Sequence, residues 1–145
     1  MYFISVTRLR IKSFWYLPQF FFANSAAEKQ LKKTPGFIEG KELIDKHMTF
    51  WTLTAWKDEQ SMKLFRNGKA HQQAMRKLPG WCDEATYAHW TTEEYTFPDW
   101  LTAYEKLITE GRTTKVKEPS ANHLNKNFPA PNASSKLQKH IKTAG

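Results

Sequence analysis

The sequence predicts an α+β fold, one antiparallel sheet carrying helices, with elements in the order β-α-β-β-α-β. Three observations predict it. Strand-like runs rich in aromatic and β-branched residues recur at 2–11, 37–45, 48–56 and 81–90. Apolar stripes at helical spacing occupy 13–33 and 58–78 between them. Only Lys46 and His47 separate the second and third strands, so these two form an antiparallel hairpin.

Residues 2–11 alternate, with Phe3, Ser5, Thr7 and Leu9 on one face and Tyr2, Ile4, Val6, Arg8 and Arg10 on the other. Neither set is cleanly apolar, which suits a strand between a core on one side and a cavity or subunit interface on the other. Residues 13–33 form a helix that Ser13 caps, with Pro18 near its start and Phe20, Ala23, Ala27 and Leu31 as its stripe. Lysines at its end suit the helix dipole, and Thr34-Pro35-Gly36 stops it. Arg8, Arg10 and Lys12 before this apolar run also resemble the start of a signal peptide. The strand-like YFISV ahead of them favours the helix, and the run is too short and interrupted to span a bilayer.

The third strand places Trp51, Leu53 and Ala55 on one face and Phe50, Thr52, Thr54 and Trp56 on the other. Asp58 caps the second helix, Gly68 interrupts it, and Pro79-Gly80 ends it. The fourth strand carries Trp81, Asp83, Ala85, Tyr87 and His89 on one side and Cys82, Glu84, Thr86, Ala88 and Trp90 on the other. A proline-led helix follows from Pro98 to Gly111. This order is the split βαβ of ferredoxin-like folds, with strand order 4-1-3-2 and both main helices on one face. The other face then lies bare and apolar, which predicts a homodimer of face-to-face sheets.

At 145 residues there is room for one real core. The net charge of +8 is unevenly spread. Residues 1–111 hold 15 Lys/Arg against 13 Asp/Glu, whereas residues 112–145 hold seven Lys/Arg against one Glu. The division is therefore a nearly neutral domain over 1–111 and a basic, flexible tail over 112–145. A specific nucleic-acid module, which needs a basic patch on the fold itself, is not indicated. A single cysteine, Cys82, excludes an intramolecular disulfide framework and fits a cytoplasmic protein. No CxxC or HxxxH spacing, Gly-rich phosphate loop or Ser-His-Asp pattern occurs, so no metal is expected.

His71 is the residue on which function turns. One reading makes it a helix histidine tied to Glu84, holding helix to sheet. The other makes it a general base or axial ligand oriented by Glu84. Trp56, Phe65, Trp81 and Tyr87 are candidate substrate contacts beside it, and Arg8 a candidate for an anionic group.

The run Trp56, Met62, Phe65, His71, Ala74, Trp81, Glu84 resembles the core of spheroidene monooxygenase-like proteins. These belong to the dimeric α/β-barrel superfamily that includes the antibiotic-biosynthesis monooxygenases. Trp56, Ala70–Met75 and Pro98–Gly111 are similar to a further, uncharacterised bacterial family of that superfamily. The resemblance covers about 110 residues. It implies a small oxidative enzyme acting on an apolar or aromatic molecule between the second helix and the sheet, with no cofactor or with haem on His71. Haem-degrading members carry Asn, Trp and His where this chain has Thr7, Phe65 and Met75, so their chemistry is not expected here. A non-catalytic ligand-binding or structural dimer is the competing reading.

Overall fold

The computed structural model describes residues 1–143. Its four central strands are those the sequence predicts: β1 (Tyr2–Ile11), β2 (Phe37–Asp45), β3 (Thr49–Trp56) and β4 (Cys82–Thr92). They pair antiparallel in the order β4-β1-β3-β2, the ferredoxin-like order. Two short strands, β5 (Arg112–Thr113) beside β4 and β6 (Gln138–Lys142) beside β2, widen the sheet to six.

Local chemistry sets the helix ends. Ser13 caps a single 3₁₀ turn, Phe14–Tyr16, ahead of α1 (Leu17–Lys33), and Pro18 falls in the first turn of α1, where a missing N–H costs least. The chain then turns at Gly36, whose φ is +89°. A Cβ there would meet the Ser61 Oγ at 2.0 Å, so both conformation and space require glycine. Asp58 caps α2 (Glu59–Arg66) by accepting the Ser61 N–H at 2.8 Å. Gly68 separates α2 from α3 (Lys69–Trp81). Proline does not stop α3 as expected: the helix runs through Pro79 to Trp81. Pro79 lies in the last turn, and its carbonyl, one of those a helix end leaves without an intrahelical partner, accepts the Lys117 N–H at 2.9 Å. Asp99 caps α4 (Trp100–Glu110), and Gly111 ends it.

α1, α2 and α3 lie on one face of the sheet. The other face departs from expectation. Ile4, Val6, Leu43, Trp51 and Leu53 on that face are sealed beneath Trp100, Ala103 and Leu107 of α4. The segment beyond α4, expected as a flexible tail, wraps the sheet. α5 (Ala121–Asn125) packs on β4, Phe128 is buried against the Arg8 guanidinium, and β6 pairs with β2 from Glu39–Lys142 to Leu43–Gln138. Its buried residues, Val116, His123, Phe128, Pro131 and Ile141, are spread over the segment with exposed residues between them. They are too widely spaced to leave a periodic signal, which is why composition reads the segment as disordered. Because the chain covers this face itself, no bare sheet face is left to call for a second subunit. Among the described residues no helix is long and apolar enough to cross a membrane.

Candidate functional site

Strand register builds the floor of the site. On the face beneath α1–α3, Glu42, Thr52, Thr7 and Tyr87 are successive cross-strand partners on β2, β3, β1 and β4. With strands about 4.8 Å apart, this polar row spans about 14 Å. A second polar row, Thr54, Ser5 and His89, lies one pleat repeat along. Apolar rows bound both: Ile44, Phe50, Leu9 and Ala85 at one end, Trp56 and Phe3 at the other. A face that packs on helices is ordinarily apolar, so hydroxyls at its centre mark a place where packing is incomplete.

The helices do not fill the space above these rows. α1 contributes Phe20, Asn24 and Leu31, α2 contributes Met62 and Phe65, and α3 contributes His71, Met75 and Leu78 around a cavity of about 610 Å³. That volume lies in the range of small-molecule sites. A smaller cavity of about 230 Å³ adjoins it and shares Phe20, Asn24, Glu28, Glu42 and Thr52.

His71 opens α3. Its backbone N–H donates to the Gln30 Oε1 at 3.3 Å, and its Nδ1 lies 3.2 Å from the Arg66 carbonyl oxygen. A carbonyl only accepts, so Nδ1 carries the proton and Nε2 presents a lone pair. No protein group among the described residues hydrogen-bonds Nε2. The Phe65 ring packs edge-on, 4.9 Å from the imidazole centroid. Burial pushes the pKa below its ordinary 6.5, outweighing the hydrogen bond to Arg66, so the ring is neutral at pH 7. A neutral imidazole with a free Nε2 can accept a proton or bind a metal centre.

At the opposite end of the long row, Glu42 is half-buried, and burial raises its pKa from its ordinary value, with the Glu28 charge adding to the effect. Glu28 itself is matched by Lys139 at 2.6 Å and Lys32 at 3.7 Å. Glu42 has only a long 3.5 Å hydrogen bond from the Asn24 Nδ2.

Of the residues singled out in the sequence, His71, Trp56, Phe65, Trp81 and Tyr87 all line the larger cavity. Arg8 and Glu84 do not. Strand alternation turns both to the α4 face, where Arg8 Nη1 meets Glu84 Oε1 at 2.6 Å, sealed from solvent. Arg10 lies 3.3 Å from the other Glu84 oxygen, and Ser120 donates to it at 2.7 Å. The expected His71–Glu84 pair is therefore corrected: the two stand on opposite faces of one sheet. Arg8, packed against the Trp51 and Phe128 rings, is structural and reaches no ligand in the cavity. Sequence reasoning missed Glu42, His89 and the floor hydroxyls, although Ser5 and Thr7 interrupting the face of β1 were the visible signal. No group of three or more His, Cys, Asp or Glu able to hold a metal occurs among the described residues.

No protein-family model and no curated protein matches the chain. Solved structures do. The cofactor-independent oxygenase SnoaB of Streptomyces nogalater superposes with a TM-score of 0.53 at 15% identity, over 67% of this chain and 97% of that one. A conserved protein from Methanosarcina mazei Go1 superposes at 0.57 with 14% identity, over 64% of this chain and 94% of that one. A structure described as an antibiotic biosynthesis monooxygenase superposes at 0.56 with 7% identity, over 63% and 99%. At these identities what is shared is the architecture: this chain has the ferredoxin-like α+β fold of the antibiotic biosynthesis monooxygenase structures.

Proposed function

We propose that the protein is a cofactor-independent, monooxygenase-like enzyme that oxidises an aromatic small molecule in the cavity between α1–α3 and the sheet. The observation that carries this reading is the 610 Å³ aromatic-walled cavity bordered by a neutral His71 whose Nε2 has no protein partner. Trp56, Phe65 and Trp81 would hold a flat ring system, and His71 would take a proton from it. The hydroxyls of Thr7, Thr52 and Tyr87 would stabilise the resulting anion by donating to its oxygen. Such an anion supplies electrons to dioxygen directly. In the balanced reaction a ring CH₂ and O₂ give a ring carbonyl and water, with no external reductant. The cavity is lined by one chain, so the proposal needs no second subunit.

The test is oxygen uptake by purified, colourless protein with a panel of hydroxylated anthrones and naphthalenes. The expected result is turnover with one carbonyl formed per O₂, slowed about 10²–10⁴-fold in His71→Ala. Turnover that His71→Ala leaves intact, or no turnover across the panel, overturns it.

One observation favours a second reading. Donation of Nδ1–H to a backbone carbonyl is the arrangement that orients a histidine for metal ligation through Nε2. On that ground His71 would be the residue to hold a haem iron, whereas among the described residues Arg66 is the only lysine or arginine bordering the larger cavity to meet two propionates, and Glu28 and Glu42 oppose them. Haem titration separates the readings: a Soret shift in wild type that is lost in His71→Ala identifies a haem protein. Reversible binding of aromatics with neither turnover nor a Soret shift identifies a non-catalytic binding protein.

A further inference from the structure

We infer that Glu42 sets ligand choice: the cavity accepts an aromatic with a hydrogen-bond donor, hydroxyl or ammonium, at the β2 end, and rejects a carboxylate there. The inference rests on the cavity being a small-molecule site, as proposed above, and adds the chemical class of what it takes.

A carboxylate has about four acceptor positions. Glu42 fills one of them, weakly, through the 3.5 Å contact with Asn24. Among the described residues no lysine, arginine or histidine lies within ion-pair distance of Glu42, while its neighbour Glu28 holds both Lys139 and Lys32. Glu42 is thus an acidic side chain on the cavity wall with no ion pair of its own, and Lys139 and Lys32 act on it only from beyond ion-pair distance. Glu42 borders the larger and the smaller cavity at once, together with Phe20, Asn24, Glu28 and Thr52.

Electrostatics point the same way. Partly burying a carboxylate with unused acceptors carries a cost that a ligand donor relieves. A ligand anion at the same place would meet the Glu42 charge in a partly buried region, where like charges repel more strongly than in water, while Lys139 beside it is engaged by Glu28. Burial first and the Glu28 charge second raise the pKa of Glu42, against a weaker pull from Lys139 and Lys32. The far end of the ligand meets a second acceptor, the Nε2 of His71, and the floor between carries hydroxyls that serve either role. A flat molecule with donors at its extremities satisfies both ends of this cavity, and a dicarboxylate satisfies neither.

The experiment measures binding to the intact protein by quenching of tryptophan fluorescence, since Trp56 and Trp81 line the cavity. The probes at pH 7.5 are 2-methylnaphthalene, 2-naphthol, 2-naphthylmethylamine as its ammonium, and 2-naphthoate. The expected order has naphthylmethylammonium at least tenfold tighter than naphthoate, with naphthol between them. In Glu42→Gln, which retains shape and one acceptor, ammonium binding weakens at least fivefold and methylnaphthalene binding does not change. The wild-type order needs no variant, so it stands even if Glu42→Gln folds poorly. Naphthoate binding as tightly as the ammonium, or an order unchanged in a folded Glu42→Gln, overturns the inference and leaves the cavity reading in place. Failure of methylnaphthalene and all three others to bind overturns both.

Discussion

Gln30 on α1 accepts the backbone N–H of His71 on α3 at 3.3 Å, and the same side chain donates from Nε2 to the Phe65 carbonyl at 2.8 Å. One amide therefore closes the α2–α3 junction over the cavity and fixes the start of the helix that carries the candidate base. Gly68 makes room for it: a Cβ at that position would lie 1.7 Å from the Gln30 Nε2. His71 is thus placed by two contacts with unrelated origins, Gln30 at its backbone and the Arg66 carbonyl at its ring.

Gln30→Ala removes two hydrogen bonds at a partly buried junction, so a loss of about 1–3 kcal/mol in unfolding free energy is expected. The more telling readout is His71. Its pKa is lowered by burial, and a loosened junction admits water. The imidazole titration followed by NMR moves up toward 6.5 in the variant. A titration identical to wild type would separate Gln30 from the placement of His71. Gly68→Ala, which displaces the Gln30 amide, reproduces the effect by another route.

The buried Arg8–Glu84 pair yields a prediction of opposite character. Arg8→Met leaves the Glu84 carboxylate sealed with only Arg10 and Ser120 as partners, and a cost of about 3–5 kcal/mol is expected. Aromatic-ligand affinity should stay at the wild-type value, because neither residue reaches the cavity. Arg8→Met combined with Glu84→Met recovers most of the lost stability, since the uncompensated charge goes with its partner. A double variant no more stable than Arg8→Met alone would mean that the cost came from lost packing on Trp51 and Phe128 instead.

The strands and their partners were legible in the sequence because alternation and hairpin spacing are local. Even Thr52 and Thr54 were assigned to the face of Phe50 and Trp56 that now floors the cavity. What was not legible depended on contacts across the chain. Glu84 was joined to His71 because both flank the second helix–strand unit, although the same alternation that located Tyr87 and His89 sends Glu84 to the far face. The covering of that face by α4 and by Phe128 could not be read from a segment whose apolar residues are isolated. Glu42 gave no signal, because a glutamate on an apparent edge strand reads as solvated until β6 and α1 are seen to enclose it.

Cys82 lies fully buried at the start of β4, and burial pushes its thiol pKa up to about 12, with the Asp83 charge adding to the effect. Only the thiolate is nucleophilic, so the native protein should resist alkylation and disulfide exchange at neutral pH. Labelling by a thiol reagent is expected to follow global unfolding across a denaturant series. Rapid labelling without denaturant would show that the β1–β4 end of the sheet opens locally. The residue is then a structural small hydrophobe with no part in the chemistry of the cavity.

His123 makes the covering segment sensitive to acid. Its Nδ1 accepts the Ala85 backbone N–H at 3.2 Å, which requires the neutral ring. Its own N–H donates to the Ser120 Oγ, and Ser120 donates in turn to Glu84, so α5 is tied to β4 through this one turn. Burial lowers the His123 pKa below 6.5, while the Glu84 and Asp83 carboxylates pull less strongly the other way. The folded value thus lies below the unfolded one. The contribution to stability is complete above about pH 6.5, declines as pH falls from there through the folded value, and is absent below it. His71, also lowered by burial, adds a loss of the same sign in the same window. Melting measured between pH 7.5 and 5 should therefore show a decline that shrinks in His123→Gln and shrinks further with His71→Gln. Hydrogen exchange assigns the local part. After correction for the intrinsic rate, protection of the Ala85 amide should fall with acid in wild type before that of β3. If Ala85 keeps its protection at pH 5, the ring stays neutral there and α5 is not an acid-released latch.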